Sequence, residues 1–203
     1  MNLPLPAWLN RRPRILNVLH AAHLYRAYSQ TIAAELECLR KHASGRKAAL
    51  EIGTHMGVSA GVIAQVLAED GKLVCVDPWE SPPGKEHPCF SICRRELGRQ
   101  GVLAKIVFLK GFSHEVENDM PQQCDFVFVD GDHSYSGLET DWGITLRRLV
   151  PGGVVCLHDT TVPPNQPHRN PGSVAYFNEA IKQHSSFEWI DGCHSLNVLR
   201  RIA

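Results

Sequence analysis

Residues 49–59 read Ala49-Leu50-Glu51-Ile52-Gly53-Thr54-His55-Met56-Gly57-Val58-Ser59, an apolar run, two glycines four apart, and the opening of an amphipathic stretch. This is the pattern of a buried strand turning into a helix. Gly53 and Gly57 let the backbone turn tightly and approach a ligand closely. The first turn of the following helix offers N–H groups that have no intrahelical partner. Dinucleotide-binding turns space their glycines as G-x-G-x-x-G, which here requires glycine at 55 and 58. Those positions hold His55 and Val58, so pyrophosphate binding of that kind fails on spacing. Glu51 is the informative residue. A carboxylate at the end of a buried strand is costly without a partner, and a cationic amino group would supply one. The alternative is a plain strand–helix turn with Glu51 reaching solvent.

Outward from this turn, short apolar runs alternate with longer amphipathic ones. Strands are predicted at Ala48–Gly53, Leu73–Pro78, Ile106–Lys110, Asp125–Asp130 and Val154–His158, continuous enough in apolar character to be covered on both faces. Helices are predicted at Val58–Glu69, Phe90–Gln100, Ser136–Leu149 and Val174–His184. This βαβα alternation specifies a parallel sheet with right-handed crossovers. An extra helix is expected near His20–His42, where Tyr25, Tyr28, Ile32, Leu36 and Leu39 form a stripe. Phe187–Ile190 and Leu196–Leu199 read as a closing antiparallel hairpin. The expectation is an α/β protein with a Rossmann-like, doubly wound, seven-stranded sheet. Residues 1–45 form an N-terminal extension and helix, and 46–203 the main domain.

The strand ends carry the chemistry. Asp77 closes the second run, some twenty residues past the glycines, where an acid typically holds ribose hydroxyls. Trp79 follows, placed either on a ligand or against neighbouring helices. Phe126-Val-Phe-Val-Asp130-Gly131-Asp132-His133-Ser-Tyr135 ends an apolar strand in four polar groups, and strand period puts Asp130 and Asp132 on one face. Gly152-Gly-Val-Val-Cys-Leu-His158-Asp159-Thr160 ends likewise. In open parallel sheets ligands lie beyond such ends.

Lys plus Arg and Asp plus Glu number 21 each, which gives no electrostatic case for nucleic acid or a membrane surface. No apolar run approaches the ~18 residues of a span, and the apolar-then-basic start is the reverse of a secretory signal. Seven cysteines without a C-x-x-C suit reduced, buried thiols and a cytoplasmic location. Cys89 and Cys93, four apart on a predicted helix, have no second pair nearby to complete a metal site.

Taken together, the chain resembles the class I S-adenosylmethionine (SAM) dependent methyltransferases, over roughly residues 30–200. The VDGDHSYSG and GGVVCLHDT segments are similar to the branch of sugar and macrolide O-methyltransferases and hydroxylase-like relatives. Glu51-x-Gly53-x-x-x-Gly57-x-Ser59 is similar to the catechol-type O-methyltransferases. The resemblance implies that Glu51, Gly53, Thr54, Gly57 and Ser59 hold the methionine part of SAM. It places Asp77 and Trp79 at the nucleoside, Gly111-Phe112-Ser113 beside the adenine, and Asp130 and Asp132 at the cofactor. Asp130 and Asp159 match the divalent-cation positions of metal-dependent members, with His158 beside them; carboxylates and waters suit Mg²⁺, a histidine ligand Mn²⁺, Fe²⁺ or Zn²⁺. His133 falls where catechol-type enzymes carry a catalytic lysine, which makes it the general base, with Asp130, on a small-molecule hydroxyl. A loop-bracing histidine is the alternative, since Ser134 and Ser136 suit a helix start.

The Pro-rich segment Val162–Gly172, with His168 and Arg169, is expected to border the acceptor pocket. The N-terminal stripe is suited to a homodimer contact. Three competing readings stand beside methyl transfer: a SAM-binding protein of the hydroxylase-like type or without methyl transfer, a nicotinamide dehydrogenase, and an interaction module. The glycine spacing opposes the second, and the polar strand ends oppose the third.

Overall fold

The computed structural model describes residues 12–163 and 171–203. Five strands, β1 (Ala48–Ile52), β2 (Lys72–Asp77), β3 (Ile106–Lys110), β4 (Cys124–Val129) and β5 (Leu149–Leu157), pair in parallel. β6 (Phe187–Cys193) and β7 (Leu196–Arg201) form an antiparallel hairpin, and β7 lies antiparallel beside β5. The sheet order is β3-β2-β1-β4-β5-β7-β6, the mostly parallel seven-stranded arrangement expected. β5 begins five residues before its predicted start, because Leu149 already pairs with Cys124 ahead of an irregularity in the ladder.

Alternate side chains feed two cores. Ala49, Leu73, Cys75, Phe126 and Phe128 face a layer of α1 (Pro13–Ala21), α2 (Ala33–Ala43), α3 (Val58–Val66) and α4 (Pro88–Arg99). Leu50, Val74, Val127 and Val155 face α5 (Tyr135–Arg148), α6 (Gly172–Tyr176) and the wider π-helical turn Phe177–Ile181. Strands covered on both faces explain why their sequence is apolar without alternation. The chain leaves β1 toward β2 and returns on the other side as β4, and this switch in strand order opens a crevice at the strand ends.

Two helices depart from expectation. The single helix at His20–His42 is two helices, α1 and α2, separated by a non-helical stretch. Pro13 favours the start of α1. Its end is held by His20, buried and bonded to Glu96 at 3.0 Å, after which His23 turns left-handed at φ 62°. α2 restarts where the Glu35 carboxylate accepts from Ile32 N–H at 2.9 Å. Tyr28 and Ile32, read as members of the stripe, are instead exposed. The helix expected at Val174–His184 starts at Gly172 and widens into the π turn, which keeps Tyr176, Phe177 and Ile181 buried. α3 stops at Val66, short of Glu69, where Gly45 N–H takes the Val66 carbonyl and Lys105 Nζ takes those of Leu67 and Ala68.

α2 is pinned to β6 by Lys41 and His42, at 2.7 and 2.8 Å from Asp191 Oδ2. All seven cysteines are free, six of them buried, and Cys89 and Cys93 pack in the core. No helix among the described residues is long and apolar enough to cross a membrane. His168 and Arg169 lie outside the described residues.

Candidate active site

A cavity of ≈ 630 Å³ opens over the ends of β1, β2 and β4 and the segment after β3, within the range of small-ligand sites. Of the residues singled out by sequence, Gly53, Thr54, Ser59, Asp77, Gly111, Phe112, Ser113, Asp130, Asp132 and His133 line it. Glu51, Gly57, Trp79, His158 and Asp159 are not among its lining residues.

The glycine turn is shaped by close approach. Gly53 sits at φ +94°, and a Cβ there would lie 2.0 Å from the Asp130 carbonyl oxygen. Gly57, at φ +80°, would meet Cys93 Sγ at 2.6 Å. The turn is braced by Asp77, whose carboxylate accepts from His55 N–H at 2.8 Å and Trp79 N–H at 3.0 Å. Trp79 is not at the cavity. Its ring packs 4.7 Å from Phe90 and its indole N–H donates to the His55 carbonyl at 2.8 Å, so core packing, not ligand stacking, explains it. Burial holds the His55 imidazole below its ordinary pKa.

Glu51 lies beneath this turn, fully buried. Burial pushes its pKa up to about 7, against the opposing influence of Ser59 and Thr54. Its Oε1 and the Thr54 hydroxyl are buried with no hydrogen-bond partner, while Cys75 Sγ lies 3.6 Å from Oε2. Among the described residues no cationic side chain pairs with it.

The other end of the cavity is different. His158 Nδ1 is 2.7 Å from Asp130 Oδ1, short but without the in-line geometry of a hydrogen bond. His133 Nε2 stands 3.6 Å from Asp130 Oδ1 and 3.7 Å from Asp159 Oδ2, and His158 Nδ1 is 3.8 Å from the latter. Asp130, Asp159 and His158, brought together as expected, are joined by His133. Asp130, His133 and His158 bring one ligand atom each close enough together to hold a metal ion. Burial alone would lower the His158 pKa, but Asp130 and Glu35 drive it up to about 10. Asp132 is turned to its own chain, accepting from the Ser134 N–H and hydroxyl at 2.9 and 2.8 Å.

Three contributions escaped the sequence reading. Glu35 on α2 reaches His158 Nε2 at 3.3 Å. Tyr28, Ser29 and Gln30, from the stretch between α1 and α2, line the cavity. Asp141 on α5 also lines it, takes a hydrogen bond from the Ser113 hydroxyl at 2.5 Å, and is pushed up to about 6 by burial. Nothing in the local sequence separates Glu35 or Asp141 from an ordinary helix acid.

The sheet order, the switch-point cavity and the polar strand ends define the Rossmann-like fold of class I methyltransferases. The family described as Methyltransferase domain matches residues 50–160, and the chain belongs to it. It is similar to Tricin synthase 2 of Oryza sativa subsp. japonica, 26% identical over 160 residues, 75% of this chain and 51% of that protein. It is also similar to the uncharacterized protein y4gI of Sinorhizobium fredii (strain NBRC 101917 / NGR234), 32% identical over 129 residues, 60% of this chain and 14% of that one. The chain thus spans about half or less of these relatives. Among solved structures, the O-methyltransferase TomG from Streptomyces achromogenes, in complex with SAM, superposes with a TM-score of 0.68 at 20% identity, covering 99% of this chain and 92% of that one. The O-methyltransferase from Bacillus cereus, in complex with SAH, gives 0.66 at 18%, covering 99% and 93%. At these identities the superpositions speak for the fold.

Proposed function

We propose that the protein transfers the methyl group of SAM to a hydroxyl oxygen of a small-molecule acceptor. One observation carries this reading: Glu51 is wholly buried beneath a cavity-lining glycine turn, its Oε1 has no hydrogen-bond partner, and no cationic side chain pairs with it among the described residues. The ammonium of the methionine part supplies one. Gly53, Thr54, Gly57 and Ser59 shape the turn around that part. Asp77 has lone pairs left for ribose hydroxyls, and Gly111, Phe112 and Ser113 border the adenine. Asp130 faces the cofactor from the end of β4, and Asp132, braced by Ser134, lines the cofactor cavity beside it.

The donor set fits a divalent ion. His158 Nδ1 is buried without a hydrogen bond, and Asp130 and Asp159 flank it. Asp130, Asp159 and His158 would hold the ion, and a histidine in the set favours Mn²⁺ over Mg²⁺. Such an ion, when bound, lowers the pKa of a hydroxyl.

His133, the most open of the four at 31% exposure, accepts the hydroxyl proton at Nε2. Asp130 and Asp159 stabilise the resulting imidazolium. The oxygen forms its bond to the methyl carbon as the carbon–sulfur bond breaks, and S-adenosylhomocysteine leaves with the electron pair. The protein's task is alignment, with the oxygen ~3 Å from the methyl carbon opposite sulfur. Equal numbers of acidic and basic residues support a small-molecule acceptor over nucleic acid, and the free buried thiols support a cytoplasmic setting. Exposed Ile15 and Val18 on α1, with Leu24 just past its end, support a homodimer contact at the N-terminal helix. The test is incubation with SAM and a panel of phenols, sugars and other alcohols, with Mn²⁺, Mg²⁺ or chelator, read by mass. Methylated product with S-adenosylhomocysteine is expected. Absence of both product and SAM binding contradicts the reading.

A second reading has one observation behind it. Two histidines and a carboxylate, here His133, His158 and Asp130, are the donor set of non-haem iron(II) oxygenases. This is the hydroxylase-like alternative, and it makes His133 a ligand rather than a base. Loss of metal affinity in His133→Ala with iron(II)-dependent dioxygen uptake favours it. Retained metal affinity with lost methyl transfer favours the first.

A further inference from the structure

Glu35 lies outside every motif of the strand ends, on the first turn of α2, yet it is 1% exposed. A glutamate at this helix position ordinarily caps its own helix from the surface. Here the capping bond to Ile32 N–H is one of several. Oε1 accepts from Ser195 N–H at 3.0 Å and from the Ser195 hydroxyl at 2.6 Å, and lies 3.3 Å from His194 Nδ1. Oε2 lies 3.3 Å from His158 Nε2. Three parts of the fold therefore meet at one carboxylate: the start of α2, the turn between β6 and β7, and the end of β5.

The two nitrogens of His158 are used differently. Nε2 faces Glu35, and Nδ1 faces Asp130 at 2.7 Å. When an ion takes the place of the proton at one ring nitrogen, a carboxylate behind the other keeps the proton there and fixes the ring plane, so that the first nitrogen's lone pair serves as the ligand. We propose that Glu35 is a positioning residue for the ion site: by holding Nε2–H it presents His158 Nδ1 toward Asp130 as a metal ligand, and it ties the strength of that site to α2 and the β6–β7 turn. This rests on the reading that a divalent ion sits at Asp130 and His158.

The test is Mn²⁺ binding to the full chain, measured from the electron paramagnetic resonance of free Mn²⁺, for wild type, Glu35→Gln and Asp130→Asn. SAM affinity in chelator is measured in parallel. The glutamine keeps the shape and loses the charge. Mn²⁺ affinity is expected to fall about 10–100-fold in Glu35→Gln, with SAM affinity within about twofold of wild type, and to be abolished in Asp130→Asn. Wild-type Mn²⁺ affinity in Glu35→Gln together with loss in Asp130→Asn overturns the role of Glu35 alone. Equal uptake, or none, in wild type and Asp130→Asn overturns the ion reading, and the inference with it. A second measurement needs no variant: histidine ¹⁵N spectra of the wild-type chain with Zn²⁺. His158 protonated at Nε2 and not at Nδ1 is expected, and the reverse tautomer overturns the proposal.

Discussion

Glu51 under the glycine turn and Glu35 at the start of α2 are equally sealed from solvent, 0% and 1% exposed, and behave in opposite ways. Burial lifts Glu51 to a pKa of about 7, whereas the bonds from His158, Ser195 and Ile32 overcome burial and hold Glu35 near 2. Glu35 has its counter-charge within the fold, supplied from 123 residues away along the chain. Glu51 has a thiol and hydroxyls beside it and, among the described residues, no cation. A buried carboxylate partnered by the fold belongs to the scaffold. One that lacks its cation marks where a charged ligand is received.

The largest expected effect falls on the partnered glutamate. Glu35→Ala removes the carboxylate that the buried His158 Nε2 and the Ser195 donors face, and is expected to lower unfolding free energy by roughly 3–5 kcal/mol in denaturant titrations. A comparable loss in Glu51→Gln would break the contrast. That second change is expected to work the other way. Because folding raises the Glu51 pKa, the native state holds its proton more tightly than the unfolded chain. Its contribution to stability is therefore lost as pH rises from about 4.5 through about 7. At about pH 8 the ligand-free Glu51→Gln variant is expected to be more stable than wild type by up to about 3 kcal/mol, with no gain below about pH 4.5. Equal stability of the two at both pH values would show that Glu51 finds an internal partner. The smallest effect sharpens the boundary between scaffold and site. Trp79→Phe loses one hydrogen bond, to the His55 carbonyl, and is expected to cost about 1 kcal/mol. SAM affinity in titration calorimetry should stay within about twofold; a larger loss would return Trp79 to the ligand.

The same contrast explains what was legible in the sequence. The strands could be read because burial on both faces leaves an uninterrupted apolar signal, and Gly53 and Gly57 because their turn needs left-handed backbone beside Asp130 and Cys93. Asp77, Asp130, His133, His158 and Asp159 stood out as polar groups ending apolar strands. Glu35 did not, because nothing local separates a capping glutamate from one bonded to His158 across the fold. The break between α1 and α2 was hidden for a related reason. Tyr25, Tyr28 and Ile32 keep helical spacing by coincidence, while buried His20 and the capping Glu35 decide where the helices stop and start. Asp141 reads as an ordinary helix acid until Ser113 is placed against it. Trp79 was ambiguous in sequence, and its neighbours Phe90 and Phe108 resolve it.

The most direct test of the account is calorimetric titration of the full chain with SAM between about pH 5.5 and pH 7.5, a range in which an α-amino group stays mostly charged. Binding an ammonium requires the ionised form of Glu51, so affinity should rise by up to about tenfold per pH unit below about pH 7 and level off above it. In Glu51→Gln it should be flat with pH and at least about tenfold weaker at the upper end. No heat with SAM, or one pH-independent affinity shared by wild type and Glu51→Gln, would contradict the claim that this buried carboxylate receives the cofactor.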